Sequence, residues 1–259
     1  MYDLDLLLDA ALRAAARAAE IVSASGTQQR QITHKGAIDL VTDTDIRSQA
    51  AIIETLQAAD RTIPVLAEEG LTTDAPARWI VDPLDGTTNF AHGYPVYSIS
   101  IAFESDRSLL LGVVLDPLRN EAFVARRGKG AWLNHHPIHV SAEANLDHTL
   151  LATGFPYDIR TNQETNLPQF SHLARRCRGI RRGGSAALDL AYVAAGRLDG
   201  YWEAKLHPWD IAAGVLLVTE AGGTVTDYNG DSGYFFNGKV IASNGSIHST
   251  LITELASIV

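Results

Sequence analysis

A short apolar run, Trp79, Ile80 and Val81, leads into Asp82-Pro83-Leu84-Asp85-Gly86-Thr87-Thr88-Asn89-Phe90, and no other stretch constrains this chain as much. The run reads as a buried strand. Proline drives the residue before it out of the helical region, so Asp82 is expected to lie extended at the strand's end. Gly86 allows close backbone approach, and two hydroxyls and an amide come after it. Two carboxylates on so short a segment repel each other unless a positive charge lies between them. Carboxylates with a backbone carbonyl form a hard-oxygen set suited to magnesium. An Asp-Pro pair alone signifies only an Asx turn ending a strand. The chain carries its own control: Asp116-Pro117-Leu118 is followed by Arg119, with no second acid or glycine, and reads as an ordinary turn.

At 259 residues, 46% of them hydrophobic and 20% charged, the chain has room for one large domain or two small ones around a sizeable core. No segment approaches the roughly 18 uninterrupted apolar residues of a membrane span. The start, Met1-Tyr2-Asp3-Leu4-Asp5, is acidic where a signal peptide would be basic. The single cysteine, Cys177, excludes an internal disulfide and fits a reducing compartment, so a cytoplasmic location is expected. A net charge of −9 argues against direct nucleic-acid binding, which relies on Lys and Arg to neutralise phosphates. It does not oppose a phosphorylated small substrate, because bound cations reverse the local sign. Arg175, Arg176 and Arg178, with Arg181 and Arg182, read as a solvated face or a subunit contact.

Leu4, Leu7, Leu8, Ala11, Leu12, Ala15, Ala18, Ala19 and Val22 keep helical spacing, with Gly26 as a stop. A strand end at 32–34 carries Lys35, and hydroxyls and acids at 42–45 open a helix running to 59. A short strand at 64–67 delivers Glu68 and Glu69. Strands are expected at 96–103, 109–115, 121–125 and 131–133, with Gly128-Lys129-Gly130 as a turn and not a nucleotide cradle. Beyond 150 strands alternate with helices: strands at 150–154, 200–203 and 240–242, helices within 160–177 and over 185–195 and 208–221. That alternation suggests a partly parallel sheet. A boundary near 140–148 would divide the chain into halves, 1–145 and 146–259.

The segment 79–90 resembles the first signature of the inositol monophosphatase family, the magnesium-dependent, lithium-inhibited phosphatases. Trp209-Asp210-Ile211-Ala212-Ala213-Gly214, running to Glu220-Ala221-Gly222-Gly223, resembles the second, and the likeness extends in family order from Lys35 to Asp227. The resemblance implies a bacterial-type member with an α/β fold, a five-layer αβαβα sandwich, and an active site where two halves meet. It also implies a homodimer and two or three magnesium ions per site. One ion would take Glu68, Asp82 and the Leu84 carbonyl; a second would share Asp82 and take Asp85 and Asp210. Ions about 3.5–4 Å apart clamp the attacking and leaving oxygens of an in-line displacement.

The family pattern gives water activation to Thr87 with Asp45, beside Glu68 and Asp82. Asp45 also reads as a helix-start acid, which is compatible with that role. No side-chain nucleophile competes: Cys177 has no base beside it, and Ser185 lacks a triad signature. The phosphate would rest on the ions and on the Gly86 and Thr87 amides. Recognition of the alcohol falls, by resemblance, to Gly184, Ser185, Ala186, Glu203 and Asp210, although Glu203 in a strand could equally face solvent. Lys35, Glu69 and His207 are supporting residues. His207 is placed outside the coordination shell because magnesium seldom uses nitrogen, and the other histidines show no zinc-ligand spacing. The expected function is magnesium-dependent hydrolysis of inositol monophosphate or a related polyol phosphate. The same site could instead serve fructose 1,6-bisphosphate, histidinol phosphate or a nucleotide phosphate. A third reading is a regulatory binding protein of the transcription or ribosome machinery.

Overall fold

The computed structural model describes residues 2–25, 32–34 and 40–258. Gly26 and Lys35, read from the sequence as a helix stop and a charge partner, lie outside the described residues. The chain opens with α1 (Leu4–Ser25), a ribbon of β1 (Ile32–His34) and β2 (Leu40–Thr42), and α2 (Asp43–Ala59). Next come β3 (Val65–Ala67), β4 (Ala77–Asp85), α3 (Thr87–His92), β5 (Ser98–Ser105), β6 (Ser108–Asp116), β7 (Glu121–Arg126), β8 (Gly130–Leu133) and β9 (His136–Ile138). The rest holds β10 (Leu150–Thr153), α4 (Leu167–Leu173), β11 (Gly179–Arg181), α5 (Ala186–Ala194), β12 (Gly200–Glu203) and α6 (Pro208–Glu220). It ends with β13 (Thr224–Thr226), α7 (Tyr234–Asn237), β14 (Val240–Ser243) and α8 (His248–Ala256).

Strands β3 to β9 form one sheet in chain order, parallel at β3–β4 and antiparallel thereafter. A second sheet has the order β11-β10-β12-β14-β13, with β10 parallel to both neighbours and β14 antiparallel to both of its own. The partly parallel sheet expected from the alternating pattern is therefore present.

Side-chain alternation along each strand fixes the layers. In the first sheet Trp79, Val81, Ile99, Ile101 and Phe103 pack with Leu7, Ala11, Ala14, Ile52 and Leu56 of α1 and α2. Their neighbours Ile80 and Ala102 point the other way, into a core shared with α5, α6 and the inner face of the second sheet. On that sheet's outer face Trp202 and Ile241 pack with Leu173 of α4 and Leu251 and Leu255 of α8. The order is thus α1/α2, sheet, α5/α6, sheet, α4/α8, the αβαβα sandwich that the resemblance implies.

Local chemistry explains the ends that matter. Thr42 caps α2: its hydroxyl accepts from the Thr44 N–H at 3.2 Å while Asp45 Oδ2 accepts from the Thr42 N–H at 2.8 Å. Strand β4 does not stop at Asp82-Pro83 as the sequence suggests. It continues to Asp85, and its pairing with β5 slips between Asp82 and Asp85. Proline has no N–H for the ladder, so the strand bulges there instead of ending. The bulge re-aims two carboxylates at the rim of the sheet.

Candidate active site

The end of β4, the start of α3, the starts of α5 and α6, and the ends of β10 and β12 meet around one cavity of about 660 Å³. Glu68, Asp82, Leu84, Asp85, Gly86 and Thr87 line its wall on the first sheet. Gly184, Ser185, Ala186, Glu203, His207 and Asp210 face them. Residues more than a hundred positions apart thereby share one surface. Asp45 and Glu69 lie behind it, and Lys35 is outside the described residues.

Asp82 is buried, and its Oδ1 accepts the Leu84 N–H at 3.0 Å. Burial, then the charges of Glu68, Asp85 and Asp210, hold its carboxyl well above the usual range. Asp85 is held from across the cavity: its Oδ2 accepts Ser185 Oγ–H at 2.5 Å and the Ala187 N–H at 2.9 Å, and its Oδ1 accepts the Ala186 N–H at 3.3 Å. A carboxylate at a helix N-terminus is well placed. Burial still raises its pKa, with those hydrogen bonds opposing. Asp210 sits in the first turn of α6, and its Oδ2 accepts the His207 N–H at 2.6 Å. Burial pushes its carboxyl well up, and the charges of Asp85, Glu68 and Glu203 add to that.

Asp45 is buried, and its Oδ1 accepts the Thr87 hydroxyl at 2.8 Å. Burial raises it, while hydrogen bonds from Thr42 and Thr87 oppose. The Leu84 carbonyl is a second acceptor for that hydroxyl, at 3.1 Å. Gly86 precedes α3 at φ +98, and an added Cβ would stand 3.0 Å from the Val96 carbonyl oxygen. Only glycine serves there. Glu69 is pinned at its backbone by the Gln49 amide, at 3.0 and 3.1 Å. The His207 ring stacks on Trp209 at 4.7 Å.

Four carboxylates and a carbonyl, without nitrogen or sulfur, suit a hard cation. Among the described residues no Lys or Arg pairs with Asp82, Asp85 or Asp210, so only hydrogen bonds oppose the burial and like charge that raise these acids there. That donor chemistry fits magnesium. No three of the described His, Cys, Asp and Glu side chains are already drawn into one metal-sized cage. A cation that keeps several of its own waters needs few protein ligands at once.

Sequence reasoning missed part of the wall. Gly154, Tyr157, Asp158, Arg182 and Lys205 line the cavity, and Lys205 Nζ pairs with Asp158 Oδ2 at 2.7 Å. Arg182 belongs to the cavity and not merely to a basic surface; its guanidinium opposes the upward shifts of Glu203 and the buried Asp189. Burial lifts Glu203 to about 7 against that charge and the Tyr201 hydrogen bond. Tyr201, two positions before Glu203 on a strand, had a signal in the period of two. Gly154 had none.

Comparison with known proteins decides the family. Residues 3–259 match the Inositol monophosphatase family. The chain belongs to this family. It is 46% identical over 260 residues to the Inositol-1-monophosphatase of Synechocystis sp., covering 98% of this chain and 90% of that one. It is 40% identical over 254 residues to the protein of Escherichia coli K12 named Nus factor SuhB, covering 96% and 95%. The structure of the inositol monophosphatase from Anabaena superposes with a TM-score of 0.91 at 40% identity, covering 100% of this chain and 98% of that one. The chain is accordingly a phosphoric monoester hydrolase of the inositol monophosphatase family, whose members are characteristically magnesium-dependent and lithium-sensitive. Among the described residues no helix is long and apolar enough to cross a membrane.

Proposed function

We propose that this family member hydrolyses inositol monophosphate, or a closely related polyol phosphate, to the free alcohol and phosphate, with two or three magnesium ions per site. The observation that carries the proposal is the convergence of Glu68, Asp82, Asp85 and Asp210 on one cavity whose far wall presents Glu203. Bound magnesium supplies charge neutralisation, Lewis-acid polarisation of the phosphoryl oxygens and a lowered pKa for water. Glu68, Asp82, Asp85, Asp210 and the Leu84 carbonyl hold the ions in this proposal. Thr87, tied to Asp45, orients the attacking water and passes on its proton. The amides of Gly86 and Thr87 position the phosphate, with Lys35 as a charge partner and Glu69 as a supporting group. Gly184, Ser185, Ala186, Glu203 and Asp210 face the alcohol. A cytoplasmic homodimer with halves at 1–145 and 146–259 and no direct nucleic-acid contact belongs to the same reading, supported by the net charge of −9 and the free Cys177.

A panel of inositol, glycerol, fructose, histidinol and nucleotide phosphates at fixed magnesium tests the substrate. Inositol 1-phosphate is expected to be hydrolysed fastest, with loss of turnover in EDTA and inhibition by lithium. A faster sugar bisphosphate would move the assignment to that substrate, and full turnover after EDTA and dialysis would refute the metal role. The relatives named Nus factor SuhB favour a second role in transcription. A pull-down with and without magnesium separates it: retained transcription proteins with a catalytically dead variant would show a role apart from hydrolysis.

A further inference from the structure

Tyr201 and Glu203 stand two apart on β12 and so share a face. Tyr201 is fully buried, and its hydroxyl donates to Glu203 Oε2 at 2.5 Å. Among the described residues no donor reaches Oε1. Gly154, the residue after β10, lies against this carboxylate so closely that an ideal Cβ there would stand 2.2 Å from each of the two oxygens. Its φ is not positive, so the position requires the missing side chain and not an unusual backbone. Nor is that backbone free to retreat. The Gly154 carbonyl accepts from Asn166 Nδ2 at 2.7 Å, and Asn166 Oδ1 accepts the buried Trp202 indole N–H at 2.8 Å. A methyl group at 154 would therefore move the flexible Glu203 side chain and leave the strand in place.

We propose that Gly154 and Tyr201 set alcohol specificity as positioning residues: Gly154 leaves the space that the Glu203 carboxylate fills, and Tyr201 occupies Oε2 so that Oε1 faces a hydroxyl of the leaving alcohol. This rests on the reading that Glu203 faces the alcohol. A site built to hydrogen-bond a hydroxyl discriminates strongly, and a misplaced acceptor forfeits that discrimination. The ring of an aryl phosphate offers no such hydroxyl.

The test compares G154A, Y201F and E203Q in kcat/KM for inositol 1-phosphate against p-nitrophenyl phosphate, with melting temperature as a check on folding. G154A is expected to lower the ratio of the two by about 10–100-fold, the loss of one hydrogen bond to a charged group, mainly through KM. Y201F should lower it in the same direction by less. G154A with E203Q should be no worse than E203Q alone, because both remove the same contact. If E203Q lowers the ratio and a folded G154A does not, the positioning role is overturned while the Glu203 assignment stands. If E203Q leaves the ratio unchanged, both fall. If G154A does not fold, Y201F decides, and an unchanged ratio in Y201F overturns the proposal.

Discussion

Two Asp-Pro pairs lie on strands of the same seven-stranded sheet, and they part company at the second carboxylate oxygen. Asp82 and Asp116 are both buried, at 2% and 0% exposure, and each uses Oδ1 to accept the N–H two residues on, at 3.0 and 2.9 Å. Asp116 then gives Oδ2 to the Arg119 guanidinium at 2.8 Å. Its charge is answered by its own turn. Asp82 accepts no other hydrogen bond among the described residues, and its neighbours are Glu68, Asp85 and Asp210. Identical backbone chemistry yields a finished structural turn in one place and a charge deficit in the other. The difference lies beyond the proline: a cation stands three residues on from Asp116, a second acid three on from Asp82.

Neutralising each aspartate in turn should separate the two sites most strongly. Asp82→Asn should lower kcat by roughly 10²–10³-fold or more at saturating magnesium, the scale on which preorganised charge acts on a transition state. In EDTA at neutral pH it should melt higher than the wild type. The sign comes from the raised pKa: the stabilising protonated form is present at low pH and is lost as pH rises. Near wild-type turnover in Asp82→Asn would remove the functional half of the contrast.

Thr87→Ala probes the same wall without touching a carboxylate. Turnover should fall about 10²–10⁴-fold, the range for a lost general-base contribution, while magnesium affinity by calorimetry stays close to that of the wild type. Joint loss of both would put Thr87 among the ligands.

Asp116→Ala should do the reverse of Asp82→Asn. Two backbone N–H groups, of Leu118 and Arg119, lose their acceptor, at a cost of about 1–3 kcal/mol. The half-exposed Arg119 adds little through its ion pair. Denaturant melts should show that loss with kcat/KM unchanged per folded molecule. A catalytic defect there would mean that the two Asp-Pro pairs are not distinct in kind.

The smallest effect concerns pH. Glu203 is lifted from 4.5 to about 7 in the folded protein, so its contribution to stability is full below 4.5 and is lost as pH rises through 7. In EDTA the melting temperature of Glu203→Gln relative to wild type should therefore climb between those values. A flat difference would show that Glu203 titrates normally.

Much of the site was legible because its elements are local. The capping acids at 42–45, the strand–Asp-Pro–Asp-Gly pattern and the helix opening at Pro208 depend on neighbours within a turn or two, where spacing carries physical meaning. The Asp-Pro bond misleads over where β4 ends, because a bulge can absorb a proline that a regular ladder cannot. Arg182 reads with its basic neighbours because charge runs say nothing about which member turns inward.

The order of residues fixes the chemistry on offer, four acids and a carbonyl proposed as ligands with no soft donor among them, and the amphipathic patterns that force helices onto sheets. Tertiary structure alone decided which donors meet. Asp85 is held by Ser185, a hundred residues away, and Glu203 lies against Gly154. Those contacts arise where both sheets pack on the α5/α6 layer, and no local period encodes an encounter between surfaces that only the assembled core brings within hydrogen-bonding reach.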